Sequence, residues 1–71
     1  MTLNDDTAAL RAQMRSWHEE QPAHAVFWAR MHAQLDRLAA AHANDPGLDA
    51  ATTELLHLAD VMGWAAPEEA L

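Results

Sequence analysis

The fold is decided by residues 22–43, which read PAHAVFWARMHAQLDRLAAAHA. Large apolar side chains and histidines recur there at spacings of four and three, which places them on one face of a helix. These side chains belong to His24, Trp28, Met31, Leu35, Leu38 and His42. Phe27 widens the face at its start. Proline is favoured at the first helical position, so we predict a helix over about 22–43 that begins at Pro22.

A second helix is predicted before this stretch, over about 5–20. Asn4 is its candidate N-cap, and Asp5 and Asp6 suit the positive end of the helix dipole. Pro22 disfavours the helical conformation for Gln21, so the helix is expected to end near residue 20. Its apolar stripe comprises Leu3, Thr7, Leu10, Met14 and Trp17.

A third helix is predicted over about 47–62, after the strong turn signal at residues 44–47, Asn-Asp-Pro-Gly. Asp45 and Asp49 are alternative caps for its start. Gly63 fits a helix exit through the left-handed region. Residues 63–71 read as a C-terminal tail or a short helical turn. The stripe of this helix comprises Leu48, Ala51, Leu55, Leu58, Ala59 and Met62.

Short turns between consecutive helices favour antiparallel packing. The expected fold class is therefore all-α, a small antiparallel three-helix bundle formed by residues 1–71 as one domain. Domains of about 60–70 residues gain little stability from one core. The sequence leaves open whether three helices close this core alone or whether homodimerisation completes it.

This topology brings every aromatic side chain of the sequence to one end of the bundle. We call Trp17, Phe27, Trp28 and Trp64 the aromatic pole. Tryptophan and arginine are the residues that most often carry binding energy at protein interfaces. The pole with the neighbouring Arg30 is therefore the candidate partner-binding site, and the competing interpretation is that its rings belong to the core.

The charge distribution limits the class of partner. The formal net charge is −7, all four arginines lie within residues 1–37, and the acids continue to residue 69. Such a surface repels phosphate, so we expect no direct nucleic-acid binding and favour a protein partner with a basic surface. The sequence has no long apolar run and starts with an acidic segment, so we expect no membrane association and a cytoplasmic location.

Few residues suit catalysis or metal binding. The sequence lacks cysteine and lysine, Ser16 is its single serine, and no catalytic motif is present, so we expect no enzyme activity. Weak metal candidates are His18 and His24 around the Pro22 turn, and His32 with Asp36 at helical spacing. No fixed-ligand motif contains them, and no cofactor is expected.

One segment resembles a known family. Glu20-Gln21-Pro22, His24, Trp28 and Arg30, followed by Arg37-Leu38-Ala39, resemble the middle of the theta subunit of bacterial DNA polymerase III. The resemblance spans residues 20–39 and implies a small, non-catalytic helical accessory protein. The remainder departs from the family, since the second half here is acidic where the family's tail is basic.

These observations favour a small acidic, non-catalytic protein–protein interaction module, such as an accessory subunit, adaptor or inhibitor in a bacterial or phage-related assembly. Self-association is compatible with the same pattern. Two alternatives stay open: a helical protein that binds a metal or cofactor through histidines and carboxylates, and an acidic inhibitor that mimics nucleic acid.

Overall fold

The computed structural model describes residues 2–64, and three α-helices make up this part of the chain. Helix α1 spans Leu3–Glu20, α2 spans His24–Ala41 and α3 spans Leu48–Val61. Asp6, near the start of α1, bonds to His42 just after α2, so these two helices are antiparallel. His18, near the end of α1, bonds to Trp64 just after α3, so α1 and α3 share a direction.

The all-α three-helix bundle is thereby confirmed. The part of the predicted tail or helical turn that covers residues 65–71 lies outside the described residues. Across residues 2–64, no helix has both the length and the apolar character that crossing a bilayer requires.

The core lies where α1 packs against both α2 and α3. Phe27, Met14, Met31 and Leu55 are its largest fully buried side chains. Nearly all of the predicted stripe positions are buried or partly buried, as helical spacing requires. His24 is the exception, because its side chain is exposed at the first turn of α2.

Helix α1 starts earlier than predicted, with Thr2 rather than Asn4 as the N-cap. The Thr2 hydroxyl accepts a hydrogen bond from the Asp5 backbone N–H at 3.1 Å, and the Asp5 carboxylate accepts one from the Thr2 N–H at 3.5 Å. This reciprocal capping box satisfies two backbone donors, whereas an Asn4 cap satisfies one. The earlier start also brings Leu3 into the helix, where it packs against the core.

The predicted start of α2 at Pro22 is wrong, because the turn between α1 and α2 extends to Ala23. Helix α1 ends at Glu20, and Gln21 adopts the left-handed conformation with φ 55° and ψ 51°. Ala23 is extended and forms the N-cap of α2, so Pro22 precedes the helix. Residues 21–23 reverse the chain direction, and Pro22 lies in this turn.

The remaining boundaries also differ slightly from the prediction. Helix α2 ends at Ala41 because His42 leaves the helical conformation, at φ −127°, and its ring bonds to Asp6. Neither predicted acid caps α3, since the N-cap is Gly47, which has no side chain to accept from the first turn of the helix. The Asp45 carboxylate instead accepts from the Gly47 N–H at 2.8 Å, two residues on, in a side-chain turn.

The exit from α3 follows the prediction for Gly63, which has φ 102°. Its N–H donates to the Asp60 carbonyl at 3.0 Å, and the Trp64 N–H donates to the Ala59 carbonyl at 2.9 Å. This pair of bonds is a Schellman motif, which terminates a helix and turns the chain back over it. Trp64 is thereby directed toward the bundle.

Candidate functional site

The aromatic pole forms as the topology predicts, with Phe27 at its centre. The Trp64 ring stacks on Phe27, with centroids 4.3 Å apart and planes 5° apart. Trp17 and Trp28 meet Phe27 edge-on at centroid distances of 6.1 Å and 5.6 Å. These separations are typical of attractive ring pairs, so the four residues form one packed cluster.

Most of this cluster is buried. Phe27, Trp28 and Trp64 are 0%, 3% and 8% exposed, while Trp17 is partly exposed. The Arg30 guanidinium lies over the Trp17 ring at 5.9 Å and bonds to the Glu20 carboxylate at 3.1 Å. The partner-binding role of the full set stays a prediction. Trp17 and Arg30 are the members with accessible surface.

A hydrogen bond that the sequence did not indicate fixes Trp64 in the pole. Its indole N–H donates to Nδ1 of His18 at 2.9 Å. The imidazole accepts through Nδ1 only when that nitrogen carries no proton. The His24 ring packs against the same indole from the start of α2, at 5.3 Å. No local spacing reveals this contact, because the two bonded residues are 46 positions apart.

The structure places three of the four metal candidates, His18, His24 and His32, beside tryptophan rings. The Trp64 ring contacts both His18 and His24, and its indole occupies Nδ1 of His18. His32 packs against Trp28 at 5.7 Å, and Asp36 is exposed one turn further along α2. In the part of the chain from residue 2 to 64, no three histidine, aspartate or glutamate side chains converge for metal binding.

The opposite end of the bundle contains a second long-range polar contact. Nε2 of His42 lies 2.6 Å from the Asp6 carboxylate, and both side chains are largely shielded from water. This contact joins the start of α1 to the chain just after α2. Each end of the bundle therefore has one histidine in a long-range hydrogen bond, His18 at the aromatic pole and His42 at the other end.

The outward surface of α3 is acidic. The helix directs Leu55 and Ala59 into the core and leaves Asp49, Glu54 and Asp60 exposed. Glu54 lies 3.7 Å from Arg11 of α1 and is 72% exposed. The helix also exposes two apolar side chains, Leu56 at 38% and Val61 at 67%.

The polar groups of the interior are satisfied. Every buried side-chain nitrogen or oxygen among residues 2–64 has a hydrogen-bond partner. Thr7, the single buried polar residue of that range, donates its hydroxyl to the Asn4 carbonyl at 2.9 Å. Ser16 is exposed on α1.

Comparisons with protein-family models, with curated proteins and with solved structures find no match for this chain. The resemblance to the theta subunit therefore rests on residues 20–39 alone. In the structure these residues cover the last residue of α1, the turn and most of α2.

Proposed function

We propose that this chain is a small, acidic, non-catalytic protein–protein interaction module. It acts as an accessory subunit, adaptor or inhibitor in a larger bacterial or phage-related assembly, and its partner presents a basic surface. The observation that carries the proposal is the outward surface of α3, which exposes Asp49, Glu54 and Asp60 and has no arginine or lysine. Such a surface attracts basic protein surfaces and repels phosphate.

The charges of this surface are available to a partner. Within residues 2–64, Asp49 and Asp60 take part in no ion pair. Glu54 is paired with Arg11, but the pair is long at 3.7 Å and exposed, and such pairs contribute about 0–1 kcal/mol. A basic partner can therefore bind these carboxylates without first breaking a strong ion pair.

Trp17 and Arg30 are the proposed anchor at the aromatic pole. Both have accessible surface, and Arg30 is held by Glu20 in a bond between two exposed side chains. Aromatic and arginine side chains dominate binding energy when a partner desolvates them. The buried Phe27 ring, on which Trp64 stacks, supports this anchor through its edge-on contact with Trp17.

The test starts with capture of a binding protein from the native host and continues with purified components. We expect affinity to fall at least tenfold as salt rises from about 50 to about 500 mM, because the Debye length shortens from over 10 Å to under 5 Å. The double variant Asp49→Asn, Asp60→Asn should bind more weakly and with a smaller salt dependence. Glu19→Gln, an exposed change on α1, is the matched control and should retain binding.

Two results would overturn the proposal. One is the absence of any stoichiometric partner at low salt. The other is a partner whose affinity responds neither to salt nor to loss of the α3 carboxylates. Circular dichroism of each variant verifies that helicity is retained, so that a loss of binding reports on the surface.

A further inference from the structure

The two histidine contacts at the ends of the bundle differ in how they respond to a proton. At the aromatic pole, Nδ1 of His18 accepts a hydrogen bond from the Trp64 indole N–H at 2.9 Å. At the other end, Nε2 of His42 lies 2.6 Å from a carboxylate oxygen of Asp6. A protonated imidazole carries an N–H on both ring nitrogens and has no acceptor. Protonation therefore removes the bond to Trp64, whereas the bond to Asp6 becomes charge-assisted.

Loss of the bond at the pole leaves a buried donor without its acceptor. Trp64 is 8% exposed, so water does not replace His18 while the ring stays in the pole. The indole N–H would instead face an imidazole N–H at a separation of 2.9 Å, and two donors repel each other. A buried N–H without a partner is costly relative to the same group in water. Movement of the indole into water removes both penalties.

Trp64 is placed so that it can leave the pole without movement of a whole helix. It follows α3, which ends at Val61, and is joined to that helix through Gly63. Gly63 has φ 102°, is exposed, and has open space where a Cβ atom would lie. Helix ends of this kind open locally at a lower free energy than the core. A change confined to residues 63–64 is therefore enough to separate the Trp64 ring from Phe27.

We propose that the aromatic pole contains a pH-sensitive switch, in which protonation of His18 releases Trp64 while the end held by His42 and Asp6 stays closed. Release uncovers the face of Phe27 on which Trp64 stacks. The indole bond stabilises the closed form when His18 is neutral, and this contribution is lost as the pH falls. Histidine side chains change charge between about pH 8 and about pH 5, so release is expected in that range. The switch goes beyond the function proposed above, because it is a response of the free chain.

The groups around His18 do not replace the lost bond. Those that are charged or titratable are Arg15, Glu19 and Glu20 on α1, His24 and Arg30 on α2, and Asp60 on α3. Glu20 and Arg30 bind each other, and within residues 2–64 His18 takes part in no ion pair. The His24 ring also contacts the Trp64 indole, at 5.3 Å, but this packing does not require an unprotonated nitrogen. His18 is therefore the group whose protonation breaks the contact.

The surroundings of His42 favour the opposite response. Its ring faces the Asp6 carboxylate of α1, and its backbone carbonyl accepts from the N–H of Asp45 in the following turn. Arg37 of α2 lines the same groove as Asp6. Since two carboxylates and one guanidinium surround the imidazole, protonation of His42 strengthens this end of the bundle. The switch is thus confined to the aromatic pole.

The first test is hydrogen exchange of the ¹⁵N-labelled full chain, followed by NMR between about pH 8 and about pH 5. The Trp64 indole cross-peak is identified as the one that is missing in Trp64→Phe. Protection of this N–H, relative to an unstructured peptide at the same pH, should fall by about tenfold or more, as expected for a lost hydrogen bond. The backbone amides of Met14 and Met31 in the core should stay protected. Retained indole protection at pH 5, or loss of protection in the core over the same range, would overturn the proposal.

Substitutions identify the titrating group. His18→Gln keeps a side-chain oxygen as acceptor but does not titrate, so its Trp64 indole should be equally protected at both pH values. His24→Gln removes the other imidazole beside Trp64, and His42→Gln removes the histidine at the opposite end. Both should release Trp64 at low pH as the unmodified chain does. Release that persists in His18→Gln, or that disappears in His24→Gln, would refute the role of His18.

A second measurement does not depend on the folding of His18→Gln. Trp64→Phe keeps a ring that can stack on Phe27 but has no indole N–H that could lose its acceptor. The backbone N–H of residue 64 bonds to the Ala59 carbonyl at 2.9 Å. This N–H should lose protection at low pH in the unmodified chain and keep it in Trp64→Phe. The same pH dependence in both proteins would show that the indole bond is not the switch.

Discussion

Trp64 lies beyond the last turn of α3 and is nevertheless 8% exposed. Three contacts from different parts of the chain hold it there. Its backbone N–H bonds to Ala59, its ring stacks on Phe27, and its indole N–H donates to His18. The indole bond is the directional contact of the three, since it fixes the rotation of the ring within the stack.

Removal of the His18 acceptor should therefore destabilise the bundle. His18→Phe keeps an aromatic ring beside Trp64 but leaves the indole N–H without its acceptor, which costs about 1–2 kcal/mol of the free energy of unfolding. His18→Gln retains a side-chain oxygen as acceptor and should lose less than half of that. Urea unfolding followed by tryptophan fluorescence measures both. A His18→Phe variant as stable as the exposed control His57→Phe would show that the bond contributes nothing.

At the scale of elements, the ends of the helices carry the local strain. Gln21 is the one non-glycine residue within 2–64 with positive φ, at 55°, and it also precedes a proline. Left-handed backbone costs a residue with a Cβ atom roughly 1–2 kcal/mol relative to glycine. Its side chain offsets part of that cost through a 2.8 Å bond from Nε2 to the His18 carbonyl, but that bond is exposed.

Gln21→Gly should therefore raise the free energy of unfolding by about 0.5–1 kcal/mol, the strain relieved less the added entropy of the unfolded chain. Gly63→Ala is the reciprocal change, because its φ is 102° and a Cβ there meets no atom within 4 Å. Its effect is thus purely one of backbone strain, and it should lower stability by about 1–2 kcal/mol. Chemical denaturation measures both variants, and a destabilised Gln21→Gly protein would contradict this account.

The same helix ends limit what the sequence predicts. Helical spacing predicted the buried stripes, because the 3.6-residue period fixes which positions share a face. It did not decide between Thr2 and Asn4 as the cap, since both side chains can accept the required bond and the choice depends on where Leu3 packs. Likewise, the end of α2 depends on the contact of His42 with Asp6, which is 36 positions away.

For the candidate site, the topology predicted that the aromatic side chains meet but not which ring lies at the centre. Phe27 reads in the sequence as a flank of the α2 stripe, and in the structure it contacts all three tryptophan rings. That outcome depends on the angle at which Trp64 returns after Gly63. Long-range geometry of this kind leaves no periodic trace in the sequence.

At the scale of the whole molecule, the interior contacts hold the helices together, and the exposed faces differ in charge from helix to helix. The interior joins the helices through the aromatic pole at one end and through His42 and Asp6 at the other. The surface is divided by helix, since α3 exposes carboxylates and α2 exposes a face with almost no charge. The proposed partner surface combines the carboxylates of α3 with Trp17 and Arg30 at the aromatic pole.

The stability of the whole bundle should depend on Phe27. The ring is fully buried and touches three tryptophans, and Phe→Ala changes in cores cost about 3–5 kcal/mol. A domain of this size has a total stability of roughly 0.05–0.15 kcal/mol per residue, so Phe27→Ala should leave most of the chain unfolded at 25 °C.

The control is Val26→Ala at the adjacent position. Val26 is 42% exposed, so this change should alter stability by less than about 1 kcal/mol. Far-ultraviolet circular dichroism and amide chemical-shift dispersion distinguish the two variants. Native helicity and cooperative unfolding in Phe27→Ala would mean that the pole is dispensable to the fold, and its rings would then be retained for binding alone.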